Sequence, residues 1–284
     1  MRAVYVPTLA QQISKQTSPF NQVTVTIDDL AIHHLKHVVR LRAGEKILLL
    51  DGLGQQLTAT MQQILADTLI LQEVTLQQAP PPRPWDLVVG LTQEFDEVVR
   101  MAQELGVRRL YPWNSAFSDQ RDWAKRKRAI PAPATPPSSS PSLYDSPMYA
   151  RWRRIAVSAL EQSNAPWLIE IDDAFCSRDK QVSWTSLLKA AQSYRQCITA
   201  HGDKEGSDQD SPPNGSDLRS RSKMGVHQNQ ELLLIIGPEG GIAPAEWALL
   251  KELGPKLTLP TPILRTPTAV ATIYGHLLAE GNGA

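Results

Sequence analysis

The stretch ELLLIIGPEGG, at residues 231–241, decides the fold of this chain. Its first six residues are almost all apolar and predict a buried strand. Three of the next five residues are glycines, which let the main chain approach a ligand closely and adopt positive φ without a side-chain penalty. A helix is predicted to follow over residues 242–251. The stretch therefore predicts a strand, a ligand-binding loop and a helix in succession.

A second loop of the same kind lies a short distance downstream. Residues 256–259 predict a short strand, and the sequence LPTPILRTPTA occupies residues 259–269. Thr266 is a favourable N-cap and Pro267 a favourable first residue for a helix over residues 268–280. A single glycine-rich pentapeptide is as readily a simple turn. Two such loops close together predict a small-molecule site built from backbone.

Both loops resemble those of the RsmE-type methyltransferases of small-subunit ribosomal RNA, which belong to the trefoil-knotted SPOUT class. Residues 95–106 and 152–163, which end in ELG and EQS, are similar to two helices of that family. The pair at residues 201–202 resembles its first cofactor loop. Residues 34–41 and 44–52 resemble parts of its RNA-binding barrel. The resemblance covers nearly the whole chain apart from two insertions.

The chain departs from the family pattern within these motifs. Pro260 and Pro262 stand where the family has glycine and arginine, and Pro267 stands where it has glutamate. Met101 replaces a lysine, and residues 164–166 lack an expected arginine. Backbone recognition tolerates such changes better than side-chain chemistry does. Cofactor binding therefore carries over more readily than substrate choice or activity.

The resemblance implies an α/β fold with a C-terminal trefoil-knotted SPOUT domain, whose parallel sheet is flanked by helices, and a small N-terminal PUA/OB-like β-barrel. The residue patterns agree, because short alternating strands precede a region in which strands alternate with helices. The predicted domains are an RNA-binding barrel over residues 1–78 and a methyltransferase domain over residues 86–284, joined by a proline-rich linker at residues 79–85. Residues 122–147 and 203–229 are predicted to be disordered insertions.

The resemblance also implies S-adenosyl-L-methionine as cofactor, held mainly by backbone groups of the predicted knot. The candidate cofactor-binding residues are His201, Gly202, Ile236, Gly237, Pro238, Glu239, Gly240, Gly241, Leu259, Pro260, Ile263, Leu264, Thr268 and Ala269. Glu239 has two open interpretations, as a proton acceptor or as the cap of the helix that follows.

Three arginines are the candidate substrate-binding residues: Arg40, Arg42 and Arg265. Arg265 is also the candidate catalytic residue, because a fixed cation would hold a uridine or stabilise its anion. A phosphate or an internal carboxylate is the alternative partner of its guanidinium group.

The implied reaction is methylation of N3 of a specific uridine in 16S rRNA, within the assembled small ribosomal subunit. Such a site must align nitrogen, methyl and sulfur and help to remove the N3 proton, since a neutral imide is a poor nucleophile. Two alternatives remain open. In the first, the chain is a catalytically impaired rRNA-binding or ribosome-assembly factor. In the second, it is a related enzyme that methylates another RNA site such as a ribose 2′-hydroxyl.

Composition limits the hypotheses about RNA binding, metal binding and cellular location. The 29 basic and 29 acidic residues cancel, so RNA binding must depend on local basic clusters. The two cysteines lack the spacing of a zinc site or a disulfide framework, and no apolar run is long enough to cross a membrane, so a cytoplasmic protein is expected. His33 and His37 have helical spacing but no evident third ligand, so no metal is expected. Phosphate-loop and dinucleotide-binding signatures are absent.

The fold class further implies a homodimer with the knotted domain at its interface. The predicted last helix carries an apolar stripe of Val270, Ile273, Tyr274 and Leu277. This stripe is a candidate dimer face, and packing within the chain is its alternative use.

Overall fold

The computed structural model describes residues 1–16, 22–118, 144, 146–177, 179–200, 229–258 and 263–281. The predicted insertions, residues 122–147 and 203–229, fall almost entirely outside these described residues. The chain divides into two units. The first comprises Met1–Pro82 with Ala156–Leu168, and the second comprises Arg83–Ile155 with Ile169–Ala284. The linker and domain limits inferred from the sequence stay predictions, and the first unit includes a segment from far along the chain.

Within the described residues, the first unit contains a five-stranded sheet in the order β1-β3-β4-β5-β2. Its strands are β1 (Arg2–Tyr5), β2 (Gln22–Thr26), β3 (Lys46–Leu50), β4 (Gln55–Leu65) and β5 (Thr68–Gln78). The β1–β3 pair is parallel and the other pairs are antiparallel. Its helices are α1 (Leu9–Ser14) and α2 (Asp29–His33), and α2 continues into a π-helical turn over His34–Val39. In β2, buried Val23 and Val25 alternate with exposed polar residues, as expected for a sheet with one face on a core.

A late segment of the chain completes this first unit. Leu160 is fully buried and packs with Leu48 and Leu50 of β3, and Leu168 packs against the same cluster. The Tyr5 N–H donates to Glu161 Oε1 at 2.9 Å. These apolar contacts and this hydrogen bond explain why Ala156–Leu168 belongs to the first unit although it lies far from it in sequence.

The second unit, over the part that the structure describes, has a six-stranded sheet in the order β11-β9-β10-β6-β7-β8, and every neighbouring pair is parallel. Its strands are β6 (Trp85–Gly90), β7 (Arg109–Trp113), β8 (Glu170–Ile171), β9 (Gln196–Ala200), β10 (Leu232–Ile236) and β11 (Lys256–Leu257). Its helices are α3 (Phe95–Glu104), α4 (Pro147–Ser163, shared with the first unit), α5 (Lys180–Ala191), α6 (Pro244–Leu253) and α7 (Thr266–Gly281). The predicted parallel sheet is confirmed, and so are the strand before and the helix after each of the two predicted loops.

Helices cover both faces of this sheet. Leu233 and Ile235 of β10 face an apolar cluster that includes residues of α5 and α6, among them Leu187 and Leu250. The alternate residues of β10 are also buried, and they point to the opposite face. On that face α7 contacts β10 and α3. The buried β10 strand therefore fixes the position of the glycine-rich loop that follows it.

The apolar stripe of α7 is part of this intrachain core. Val270 and Leu277 are fully buried, and Ile273 and Tyr274 are nearly so. The Tyr274 ring packs edge-on against Trp85 of β6 at a centroid distance of 5.7 Å. The stripe therefore cannot be the face that a second copy covers, and its alternative use within the chain is confirmed.

Two further points concern the trefoil knot and membrane-spanning helices. The described residues do not include 201–228 or 259–262, and the trefoil knot stays a prediction. Among the residues that are described, none forms a helix both long enough and apolar enough to cross a membrane.

Candidate functional site

The candidate site lies at the C-terminal edge of the parallel sheet, between β6 and β10. From β6 the chain passes through α3 to β7, on one side, whereas from β10 it passes through α6 to β11, on the other side. Neighbouring strands whose connections diverge in this way form a topological switch point, and ligands of open α/β sheets bind in the crevice there. The two loops that leave this crevice begin at Leu91 and at Gly237.

The ends of β6 and β10 approach so closely that only glycine fits. A Cβ added to Gly90 would lie 2.5 Å from the Pro238 nitrogen and 3.1 Å from the Gly237 carbonyl carbon. A Cβ added to Gly237 would lie 2.8 Å from Ile242 Cγ1. Gly241 has φ +81° and donates its N–H to the Pro238 carbonyl at 2.8 Å, which closes the turn. The close approach and the positive φ expected of this loop are both present.

The loop of residues 114–118 follows β7 and lies against Gly240. A Cβ added to Gly240 would lie 3.0 Å from Phe117 Cβ. The Ser118 hydroxyl donates to the Trp113 carbonyl and accepts the Ser115 N–H, each at 3.0 Å. The loop is therefore tied to the end of β7 at the point where it meets the glycine-rich loop.

Glu246 connects this loop to the start of α6. Its Oε1 accepts the Ala116 N–H at 2.8 Å, and its Oε2 accepts the Ala243 N–H at 3.1 Å. The carboxylate is buried and satisfies two N–H groups, one of them at the helix N-terminus, as the helix dipole favours. Glu246, three residues after the N-cap Ala243, is thus the carboxylate that the structure shows at the N-terminus of this helix.

Glu239 instead forms part of a polar chain across the crevice. The Thr92 hydroxyl donates to Glu239 Oε1 at 2.5 Å, and the Glu94 N–H donates to the Thr92 hydroxyl oxygen at 3.2 Å. The Glu94 carboxylate then pairs with Arg265, whose Nη1 lies 2.7 Å from Oε1. The structure thus joins the loop after β6, the loop after β10 and the residue before α7. It also supplies the internal carboxylate partner that the sequence left open for Arg265.

The N-terminus of α7 lies beside the glycine-rich loop. Thr266 is buried, and its hydroxyl lies 3.5 Å from the Gly237 carbonyl oxygen, at the limit of a hydrogen bond. The Ala269 N–H donates to the Arg265 carbonyl at 2.9 Å. Ile263 and Thr268 are exposed. The start of α7, directly after the second predicted loop, therefore lies beside the glycine-rich loop.

The predicted site residues divide into three groups. The first group lies at the crevice and comprises Ile236, Gly237, Pro238, Glu239, Gly240, Gly241 and Arg265. Ile263, Leu264, Thr268 and Ala269, which are near Arg265 along the chain, belong with it. His201, Gly202, Leu259 and Pro260 lie outside the described residues. Arg40 and Arg42 belong to the first unit.

Arg40 has an unusual backbone conformation. It ends the π-helical turn with φ +56° and ψ +46°, in the left-handed region, and donates its N–H to the Leu35 carbonyl at the turn. Glycine is the usual residue at such a position because it has no Cβ. Arg40 and Arg42 are both exposed, so this position presents a cation at the cost of some backbone strain. No group of three or more potential metal ligands occurs within the ranges that the structure describes.

A buried charge cluster lies at the opposite edge of the sheet. Asp86 is fully buried and accepts two hydrogen bonds from Arg108, both at 2.7 Å, and one from the Tyr194 hydroxyl at 2.6 Å. The hydrogen bonds to Asp86 raise the pKa of Arg108, while burial and then Asp86 raise that of Tyr194. These residues precede or begin β6, β7 and β9, so they fix the N-terminal edge of the sheet, away from the crevice.

Sequence reasoning missed five residues of the crevice: Gly90, Thr92, Glu94, Phe117 and Glu246. A glycine directly after an apolar strand was an available signal for Gly90. The other four carry no local signal, because their partners come from distant segments.

Two family models match the chain. One describes an RNA methyltransferase domain and matches residues 143–278, and the other describes an RNA methyltransferase PUA domain and matches residues 27–73. The chain is 26% identical to the ribosomal RNA small subunit methyltransferase E of Bacillus subtilis, over 95% of this chain and 93% of that protein. It is also 26% identical to the Synechocystis protein of the same name, over 91% of this chain and 74% of that protein.

Solved structures share the fold. A ribosomal RNA small subunit methyltransferase E from Neisseria gonorrhoeae, bound to S-adenosyl methionine, superimposes with a TM-score of 0.63 at 21% identity and covers 98% of this chain and 97% of its own. A probable rRNA methyltransferase from Porphyromonas gingivalis gives a TM-score of 0.64 at 18% identity, with 99% of each chain covered.

Proposed function

Because this chain belongs to the RsmE-type family of RNA methyltransferases, we propose that it transfers a methyl group from S-adenosyl-L-methionine to N3 of a specific uridine in 16S rRNA. The observation that carries the proposal is the glycine-rich loop at the switch point between β6 and β10. The relatives are named for action on small-subunit rRNA, and the uridine and its N3 atom follow from the family resemblance.

The crevice fits a cofactor held by main-chain groups. Gly90, Gly237 and Gly240 each meet a neighbouring residue so closely that a Cβ would clash or force a shift. These glycines let the two loops pack tightly against their neighbours. Three of the five residues 237–241 also lack a side chain, so main-chain N–H and C=O groups of this loop suit recognition of an adenine and a ribose. When bound, S-adenosyl-L-methionine supplies a sulfonium-linked methyl group for transfer.

Arg265 is suited to act on the substrate base. Its guanidinium group is always charged and favours the anion that forms when N3 of a uridine loses its proton. Its partner Glu94 holds the side chain at the crevice mouth, where 76% of the Arg265 side chain is exposed. Exposed ion pairs contribute only about 0–1 kcal/mol, so a substrate can replace Glu94 at little cost. Glu239, fixed by Thr92, remains a candidate proton acceptor.

The first unit supplies cations for RNA binding. Arg40 and Arg42 are exposed beside the π-helical turn, in a protein whose formal charge is zero. Contacts from such residues to phosphates give affinity and position without reading sequence. We propose that these two arginines hold the rRNA strand, and that the protein acts on the assembled small subunit.

One observation favours a second candidate, in which the chain binds rRNA as an assembly factor without methyl transfer. Three prolines, Pro260, Pro262 and Pro267, stand where the family has glycine, arginine and glutamate, next to the candidate catalytic residue Arg265. The two candidates differ in chemistry, because only an enzyme leaves a new methyl group on the RNA.

The test is transfer of labelled methyl from S-adenosyl-L-methionine to small ribosomal subunits that lack the modification, followed by mass-spectrometric mapping. A single N3-methyluridine supports the proposal. A methyl group on a ribose 2′-hydroxyl supports the alternative in which the chain is an enzyme that methylates another RNA site. No transfer from folded protein that binds the subunit supports the assembly factor.

Substitution of Gly240 by leucine tests the cofactor site. Since even a Cβ here would lie 3.0 Å from Phe117, a leucine side chain must displace the loop of residues 114–118. We expect Gly240→Leu to lose at least about tenfold in cofactor affinity by calorimetry, with an unchanged unfolding transition for the first unit. Leu249→Ala, an exposed position on α6, is the matched control. Unchanged affinity in Gly240→Leu would show that this loop is not the cofactor site.

We also propose a cytoplasmic homodimer. The family resemblance supports it, and the stripe on α7 is excluded as its interface. Light scattering of the purified protein across a concentration series gives the oligomeric state directly.

A further inference from the structure

Phe117 is a large aromatic residue with 50% of its surface exposed at the edge of the crevice. Single exposed apolar residues are common on protein surfaces, so exposure alone carries no inference. Two further features set Phe117 apart, namely the way its backbone is held and the residue that its side chain covers.

The main chain on both sides of Phe117 is fixed by side chains from other elements. The Ala116 N–H is held by the buried Glu246, and the Ala116 carbonyl accepts from Lys180 Nζ at 2.6 Å. Ser118 is buried and bonded to the Trp113 carbonyl. The loop thus holds the aromatic ring where solvent reaches it, a preorganised arrangement that lowers the entropy cost of binding.

The side chain of Phe117 packs over Gly240. Its Cβ and Cγ would lie 3.0 Å and 3.6 Å from a Cβ added to that glycine. Phe117 therefore borders the loop to which we assign the cofactor, at the edge of the crevice that an RNA must approach from solvent.

We propose that Phe117 is a positioning residue on which the base of the substrate uridine stacks after it leaves the RNA stack. This inference rests on the proposed function. N3 lies on the pairing edge of uracil, so an enzyme that modifies it acts on an unpaired or extruded base. Proteins hold such bases by stacking them on aromatic rings. A rigid, half-exposed ring beside the methyl-donor loop supplies that surface.

Two planar groups can stack on the Phe117 ring: the substrate base and the adenine of the cofactor. Kinetic and cofactor-binding measurements on three variants distinguish them. Phe117→Leu keeps apolar volume and removes the aromatic face, and Phe117→Tyr keeps the face. We expect Phe117→Leu to lower kcat/KM for small subunits roughly ten- to a hundredfold, in line with the value of one base–aromatic stack. Phe117→Tyr and the control Leu249→Ala should stay within about twofold of the unchanged protein. Cofactor affinity should be unchanged in all three.

Each other outcome contradicts the proposal. A loss of cofactor affinity in Phe117→Leu would assign the ring to the adenine. Equal losses in the leucine and tyrosine variants would indicate that Phe117 only supports the loop. Full activity of Phe117→Leu would remove any role for the ring.

A second measurement does not depend on methyl transfer. Small subunits whose rRNA contains 5-iodouridine are irradiated with the protein, and cross-linked peptides are identified by mass spectrometry. A cross-link at Phe117 without methyl transfer would refute the proposed enzyme and keep the stacking surface. Methyl transfer without this cross-link, and with a fully active Phe117→Leu, would refute the stacking surface alone.

Discussion

Arg40 shows how one residue can trade stability for a surface charge. Its φ of +56° lies in the region that disfavours side chains with a Cβ, and glycine avoids that cost. The same position presents an exposed guanidinium group. Replacing Arg40 by glycine therefore removes the backbone cost and the cation together, which makes both effects measurable in one variant.

We therefore expect Arg40→Gly to raise the free energy of unfolding by up to about 1 kcal/mol. The same change should weaken binding to rRNA and reduce the slope of log affinity against log salt by about one unit. Denaturant unfolding and a salt series of binding measurements check both parts. The matched control is Ala66→Gly, at another exposed residue of positive φ, 46°, which carries no charge. It should gain stability without losing RNA affinity, and an equal loss in both variants would contradict the role of Arg40.

Single residues also show where sequence reasoning stops. The glycines of residues 237–241 were predictable, because backbone conformation and close approach leave a local trace in sequence. Glu94 and Phe117 were not, since a carboxylate or an aromatic ring in a loop acquires its meaning from Arg265 or Gly240, which lie far away along the chain. Glu239 was predictable as a loop residue, but its partner Thr92 was not.

The apolar face of helix α7 had two interpretations, as a dimer face or as part of the core within one chain. Its burial decides between them. All four stripe residues are within 2% of full burial inside one chain. A charge introduced there meets a core without a partner, which is among the costliest single changes.

Ile273→Glu is therefore expected to destabilise the second unit by about 4 kcal/mol or more and to abolish its cooperative unfolding. Circular dichroism during denaturation measures this. Thr272→Glu, at the neighbouring exposed position, should fold normally. A folded but monomeric Ile273→Glu protein would show that Ile273 lies at a dimer interface and not in the core of one chain.

Helix α4 carries a carboxylate that makes the stability of the first unit depend on pH. Burial raises the pKa of Glu161 above its ordinary value of 4.5, although the Tyr5 N–H opposes this shift. A raised carboxyl pKa means that the folded state binds the proton more tightly. The stabilisation is therefore fully present below the ordinary pKa and is lost as pH rises through the pKa of the folded state.

Glu161→Gln keeps an oxygen that accepts the Tyr5 N–H and removes the titration. We expect this variant to gain stability relative to the unchanged protein as pH rises from about 4 to 7. Urea unfolding at several pH values gives the two curves. Glu252→Gln, at an exposed position of α6, controls for the loss of one negative charge. Parallel curves for the unchanged protein and Glu161→Gln would contradict the prediction.

At the scale of elements, the longer strands and helices followed from apolar patterning, and the short ones did not. Strand β10 and helices α6 and α7 were predicted with ends shifted by about two residues. Strand β8 has only two residues, Glu170 and Ile171, too few to show any alternation. It exists because β7 lies beside it, which is a property of the sheet rather than of its own sequence.

For the whole molecule, the division into units is less simple than the order of the sequence suggests. A proline-rich segment predicted one boundary, with everything before it in the barrel domain. The first unit also takes Ala156–Leu168 from far downstream. No pattern within residues 1–82 predicts that this downstream segment is needed, because the apolar residues of β3 do not indicate which segment covers them.

A fragment of residues 1–82 should therefore unfold more readily than the first unit does in the full chain. The loss of buried Leu160 alone is comparable to a large core truncation, which costs about 2–5 kcal/mol. The comparison is with the same fragment joined to residues 156–168 by a flexible glycine–serine linker, both followed by thermal unfolding. Equal midpoints for the two proteins would show that the downstream segment is not part of this core.

The late segment also sets the order in which the protein can be made. A ribosome releases the chain from its N-terminus, and Ala156–Leu168 emerges only after more than half of the 284 residues have been translated. Until then the nascent barrel exposes Leu48 and Leu50, the surface that Leu160 later covers. Domains usually fold as they leave the ribosome, N-terminal first. Here the first unit gains its full stability only after Arg83–Ile155 of the second unit has also been synthesised.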